Sequence, residues 1–197
     1  MKKDLTNPQE RSRCAWVPKD HQLYEEYHDN EWGVAVHDDL KHFEFLVLES
    51  AQAGLSWETI LKRRLNYAKA FANFNWLEVA KFTQEQVEDL MKNPGIIKNR
   101  LKIHATIHNA QRFMEVREEF GTFDAYVWQF VGGKTKNNYR KSIKEVPAET
   151  EESRALSKDL RRRNFKFVGP TIMYAYMQAV GMVNDHTQDC FCYVHET

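Results

Sequence analysis

The chain has 197 residues, of which 42% are hydrophobic and 13% aromatic, enough apolar material for one packed domain and too much for an intrinsically disordered chain. Its longest apolar run, Phe45 to Leu48, is far short of the ~20 residues of a membrane span, and the polar N-terminus lacks the apolar centre of a signal peptide, so a cytoplasmic protein with no membrane contact is expected. The 28 basic and 28 acidic residues cancel, which argues against an evenly basic surface, and three cysteines are too few for a disulfide framework.

Residues 1–13 read as a flexible extension ahead of a single domain over residues 14–197. Leu40, Phe43, Val47 and Ala51 repeat at helical spacing, with Gly54 as a stop. Ser56 offers an N-cap to the apolar face of Trp57, Ile60, Leu61, Ala68 and Phe71. Thr83 and Gln86 form a capping box for a short helix reaching Met91. Pro94-Gly95 interrupts, and a long pattern runs through Ile97, Leu101, Ala105 and Ile107 towards Phe113. Further helices are expected from Thr122 to Phe130, from a cap at Ser153 through Arg162, and from Pro170 to Gly181. Gly132-Gly133 and the polar stretch to Asn138 read as a loop. No strand alternates convincingly, so the fold is expected to be all-α.

Four constellations carry chemistry. Cys14 and His28 near one end, with His186 and Cys190 near the other, would suit a tetrahedral zinc ion with no open position, a structural site. Their spacing leaves open two buried thiols and two unrelated histidines. Asn93-Pro94-Gly95, followed by Lys98 and Arg100 at a helix start, could seat a phosphate, or could be an ordinary turn. Tyr24, Tyr27, Trp16 and Trp32 crowd the first part of the chain, Trp57 follows the Gly54-Leu55-Ser56 break, and Glu49 is an acid whose helical neighbours are apolar. Such an acid needs a donor or a shifted pKa, unless it lies on the helix surface. The basic stretch Arg161 to Arg163 could touch a nucleic acid or be a solvated face. Asp124, between Phe123 and Tyr126, reads as a packing residue.

Taken as blocks, Arg13-Cys14-Ala15-Trp16-Val17, Tyr27-His28-Asp29-Asn30-Glu31-Trp32-Gly33, Gln52-Ala53-Gly54-Leu55-Ser56-Trp57, Phe165-Lys166-Phe167-Val168-Gly169 and Gly181-Met182-Val183-Asn184-Asp185-His186 resemble the bacterial 3-methyladenine DNA glycosylase I family, in order and from Cys14 almost to the C-terminus. The resemblance implies a two-lobed helix-hairpin-helix DNA glycosylase fold, with one structural zinc held by Cys14, His28, His186 and Cys190. It implies that Tyr27 and Trp57 sandwich a flipped base, that Glu49 reads its edge as the catalytic-site acid, that Tyr24 lines the cavity, and that Leu55 is the wedge. Gly95, Lys98 and Arg100 would meet DNA. The activity implied is monofunctional hydrolysis of the bond to 3-methyladenine in alkylated double-stranded DNA, by a monomer. A non-enzymatic DNA-binding module would need the hairpin and basic stretches but no buried Glu49 among aromatics, and a zinc-stabilised purine-binding protein the pocket but no hairpin.

Overall fold

Capping residues set most of the helix boundaries in the computed structural model, which describes residues 11–195. In chain order the helices are α1 (Gln22–Asn30), α2 (Asp39–Gln52), α3 (Trp57–Leu61), α4 (Arg64–Ala70), α5 (Trp76–Val79), α6 (Gln84–Lys92), α7 (Arg100–Phe120), α8 (Phe123–Trp128), α9 (Glu151–Arg162) and α10 (Pro170–Ala179). The all-helical expectation is therefore met, apart from one parallel bridge between β1 (Lys136–Asn137) and β2 (Val183–Asn184).

Several expected ends are seen. The hydroxyl of Ser56 caps α3, Thr83 and Gln86 cap α6 reciprocally, and Pro170 opens α10. Others shift for identifiable reasons. α1 gives no clear periodic signal, because only Leu23, Tyr24 and Tyr27 are apolar along it. The apolar face from Trp57 to Phe71 is broken at Arg63, whose ψ of 0° ends one helix and starts the next. Asn99, not Ile97, begins α7, its side chain accepting from the Lys102 amide at 3.2 Å. α9 is capped by Thr150, with Ser153 at the third helical position returning a bond to the Thr150 amide at 2.9 Å. Ser153 thus completes a box rather than starting the helix. Thr150→Ala should cost about 1 kcal/mol, read as a fall in Tm of roughly 2–4 °C.

α2 is the central rod. Its residues from His42 to Ala51 are all buried, and it packs on α3, α4, α7, α8 and α10. A polar cluster anchors its first turns. His42, fully buried, donates from Nε2 to Asp124 at 3.0 Å, and its Nδ1 accepts from the Tyr176 hydroxyl at 2.7 Å. Burial holds the His42 pKa below its ordinary value, which favours the neutral ring this arrangement needs. Asp124 therefore does pack, as its neighbours in the sequence suggest. Seven residues on from His42, towards the other end of the rod, lies Glu49.

Of the extension expected over residues 1–13, residues 1–10 lie outside the described chain. Arg11 lies over the Phe191 ring at 4.9 Å, Ser12 accepts from the Phe191 amide at 2.8 Å, and Arg13 forks onto Asp29 at 2.8 Å. No helix among the described residues is long and apolar enough to cross a membrane.

Candidate active site and metal cluster

The last turn of α2 delivers Glu49 to a cavity of about 210 Å³ bordered by Trp16, Tyr27, Trp32, Gln52, Trp57 and Gln178. Glu49 is 3% exposed, and its Oε2 has no hydrogen-bond partner among the described residues. Burial alone pushes its pKa up to about 8, because no cation or donor offsets the lost hydration. The indole N–H groups of Trp16 and Trp57 are also buried and without partners. Buried polar groups are nearly always satisfied, so three orphans around one cavity mark the seat of a polar ligand. Tyr27 completes the wall. Burial, with Glu49 as the second cause, holds its phenol well above its ordinary pKa and therefore protonated.

The aromatic residues do not all stand where they were expected. Tyr27 and Trp57 both border the cavity, but their rings touch one another, with centroids 5.2 Å apart and planes tilted by 49°. With the rings this close, no flat group lies between them in this structure. Tyr24 does not border the cavity. It lies one layer behind, against Trp16 at 5.9 Å and His21 at 4.9 Å. Gln52 and Gln178, which do border it, carry no chemical signal in the sequence beyond the place of Gln52 one turn after Glu49.

Beyond α2 the chain makes a type II turn. Ala53 has φ −44° and ψ 114°, Gly54 has φ +78°, and the Leu55 amide donates to the Gln52 carbonyl at 2.6 Å. The second central position of this turn requires positive φ, which is why a glycine stands there. Leu55 projects from the tip, 40% exposed. Lys102, from α7, grips this turn: its ammonium donates to the carbonyls of Ala51 at 2.8 Å and Ala53 at 2.6 Å. A cation at a helix C-terminus offsets the negative end of the dipole.

The hairpin between α6 and α7 presents its groups unequally. Lys98 is exposed and forms no ion pair among the described residues. The Gly95 amide already donates to Asn93 Oδ1 at 2.8 Å, and a Cβ at Gly95 would fall 2.9 Å from Asn66 Cβ. Glycine is thus needed there for close packing on α4. Arg100 forks onto Glu88 at 2.5 and 2.8 Å, a pairing twelve residues apart that sequence spacing does not reveal.

Cys14, His28, His186 and Cys190 converge behind the cavity, all buried, with their ligand atoms within 4.8 Å of one another. Cys192 stays outside, its amide donating to Cys190 Sγ at 3.4 Å. The donor set fits a tetrahedral thiolate-imidazole site, and the outer partners fit it too. His28 turns Nε2 towards Cys190 Sγ at 3.4 Å, while Nδ1 donates to Asp29 at 2.8 Å; Asp29 is gripped in turn by Arg13. His186 turns Nδ1 to the same sulfur at 3.4 Å and donates from Nε2 to the Trp32 carbonyl at 3.0 Å. Both rings are thereby fixed in a ligating orientation. The cluster also braces the cavity, since Trp16 packs on His28 at 5.4 Å and Trp32 on His186 at 4.8 Å.

Comparison with known proteins gives a consistent result. The sequence pattern of the family described as methyladenine glycosylase matches residues 16–193. DNA-3-methyladenine glycosylase 1 of Escherichia coli (strain K12) is 47% identical over 181 residues, spanning 92% of this chain and 96% of that protein. DNA-3-methyladenine glycosylase of Haemophilus influenzae (strain Rd) is 41% identical over 181 residues, with 92% and 97% covered. A crystal structure of a variant 3-methyladenine DNA glycosylase I in complex with 3-methyladenine superimposes with a TM-score of 0.89 at 34% identity, covering 94% of this chain and 99% of that one.

Proposed function

The chain belongs to the methyladenine glycosylase family, and from that premise we propose that it hydrolyses the N-glycosidic bond of 3-methyladenine in alkylated double-stranded DNA, releasing the free base. The observation that carries the reading is Glu49, a buried acid with an unpartnered oxygen in an aromatic cavity at the root of an exposed turn. An acceptor so placed matches the amino edge of adenine. Alkylation at N3 puts a positive charge on the base, which favours Tyr27 and Trp57 as walls by roughly 0.5–2 kcal/mol per well-placed ring. Tyr24 supports the wall from behind, against Trp16.

The nucleotide leaves the stack, Leu55 fills the gap, and the base enters as Trp57 turns aside. Water then bonds to the sugar carbon while the N-glycosidic bond breaks. The bonding pair goes to the base, cancelling its charge, and the attacking water releases its extra proton to bulk solvent. The leaving group is already activated, so Glu49 discriminates and holds the cation rather than acting as a strong base. Among the described residues no lysine borders the cavity, which supports hydrolysis without a Schiff base.

Lys98 supplies a phosphate contact on the hairpin shaped by Gly95, and Arg100 joins it by exchanging Glu88 for phosphate. Lys98→Ala should weaken binding to every duplex alike and flatten the plot of log K against log salt by roughly 0.9. An unchanged slope would move the contact elsewhere. We assign zinc to the Cys14–His28–His186–Cys190 cluster as a structural ion, and place the enzyme in the cytoplasm as a monomer. Incubation with methylated duplex DNA should release 3-methyladenine, identified by chromatography. No free base above a heated-protein control would overturn the activity.

A further inference from the structure

The cavity of Glu49 has an inner and an outer part. An adjoining cleft shares Glu49, Gln52 and Ala175 with it and runs out to Leu55 and Thr171. Along α10, Thr171 borders only the outer cleft, Ala175 borders both, and Gln178 borders only the inner cavity. Gln178 therefore stands seven residues past Thr171, ~10.5 Å deeper along the helix. A flipped base enters with its sugar on the side of the wedge, so Gln178 meets the end of the base remote from the sugar.

The amide of Gln178 is not free to turn. Its Nε2 donates to Asp185 Oδ2 at 2.7 Å. Asp185, whose side chain is fully buried, also accepts from the Tyr174 hydroxyl at 2.5 Å, Asn138 Nδ2 at 2.8 Å and Arg140 Nε at 3.1 Å. Burial, with the bond to Asp185, raises the Tyr174 pKa, so this phenol stays a donor. A carboxylate held by four donors only accepts. The amide nitrogen must therefore face it, and the amide oxygen is left to the cavity that the residue borders. No hydrogen bond among the described residues reaches that oxygen. The buried acid thus fixes a neutral acceptor at the inner end of the cavity, in addition to Glu49. The other unpartnered groups there, the indole N–H groups of Trp16 and Trp57, are donors.

We propose that Gln178 is a specificity-determining residue, whose Oε1 accepts one N–H of the exocyclic amino group of 3-methyladenine while Glu49 accepts the other. Asp185 is the positioning residue that keeps the amide from turning its donor towards the base. This inference rests on the glycosylase reading for its ligand. An amino group offers two donors to two acceptors. The oxo group of 3-methylguanine, at the same place on the ring, sets its lone pairs against both. A site built to pair with donors rejects the analogue that lacks them, because its own buried acceptors are left unpaired.

The test compares the parent with Gln178→Met, Gln178→Ala and Gln178→Glu. Met and Ala remove the acceptor at two sizes and leave Asp185 with its three other donors. Glu keeps an outer oxygen that accepts, because a proton shared with Asp185 relieves the contact of two carboxyls. Dissociation constants of free 3-methyladenine and 3-methylguanine are read by tryptophan fluorescence, and release of both bases from methylated duplex by chromatography. Gln178→Met and Gln178→Ala should bind 3-methyladenine at least roughly fivefold more weakly and 3-methylguanine no more weakly, so the preference narrows. Gln178→Glu should keep the preference within about threefold of the parent. Equal losses for the two bases would overturn the proposal, since a merely structural tie to Asp185 loosens the cavity for any ligand. An unchanged preference in Gln178→Met and Gln178→Ala would overturn it too, as would the same narrowing in Gln178→Glu or a parent that binds neither base. A parent that releases no base from DNA, yet shows the free-base preference and its narrowing, would sink the enzymatic reading alone.

Discussion

Glu49→Gln is expected to lower excision of 3-methyladenine by about tenfold to a hundredfold. A hydrogen bond to a charged group is worth roughly 1.5–3 kcal/mol, and Gln presents a donor where an acceptor is wanted. The pH dependence is the sharper signature. With a pKa pushed up to about 8, Glu49 is mostly protonated in the open cavity at neutral pH. Only the ionised form attracts the alkylated cation, so kcat/KM should rise with pH through about 8, where it reports the free enzyme. The bound cation favours ionisation, so kcat should level off at lower pH than kcat/KM. Both inflections should vanish in Glu49→Gln. Stability should move the other way. A carboxyl with a raised folded pKa leaves the fold most stable below the unfolded value near 4.5, and that margin is lost as pH rises through about 8. Glu49→Gln should therefore melt higher than the parent at pH 8 and by a smaller margin at pH 5. If thermal melts show no such divergence, and excision is that of the parent, the acid has no part in reading the base.

Cys14→Ala should remove about one equivalent of zinc per chain, by elemental analysis, and destabilise the fold by roughly 3–5 kcal/mol. The scale follows from what the cluster does to the unfolded chain. A link between Cys14 and Cys190 closes a loop of well over a hundred residues, which in the chain-entropy account is worth ~5 kcal/mol. For a domain of this size that is a fall in Tm of roughly 10 °C or more. Because Trp16 and Trp32 rest on the ligand imidazoles, affinity for free 3-methyladenine should fall in step with metal content. Freshly purified protein with no metal, equal in stability to the variant, would dismiss the assignment.

Local chemistry was readable where one segment decides the outcome. Thr83 with Gln86, Ser56, and Pro170 announce their helices because a cap needs only its own first turn. Where the deciding partner is distant, the sequence was silent. Spacing alone does not reveal that Glu88 lies against Arg100 or that Asn66 packs on Gly95. Tyr24 and Tyr27 are alike in sequence, yet the turn of α1 sends one to the cavity and the other behind Trp16. Glu49 was legible as an anomaly, an acid among apolar neighbours, although its missing partner is a property of the assembled cavity. The four metal donors were legible as residue types, whereas their convergence depends on the whole fold bringing two distant segments together.

That convergence makes the order of synthesis part of the architecture. The ribosome delivers Cys14 and His28 early, and they have no counterpart until His186 and Cys190 emerge more than 150 residues later. Every helix that carries the reading of the base is already made by then, so the cluster acts as a final clasp rather than a nucleus. A chain released before that point has Glu49 and Leu55 in place in the sequence but no brace behind Trp16 and Trp32. Incomplete products therefore lack the closure that braces the cavity through Trp16 and Trp32.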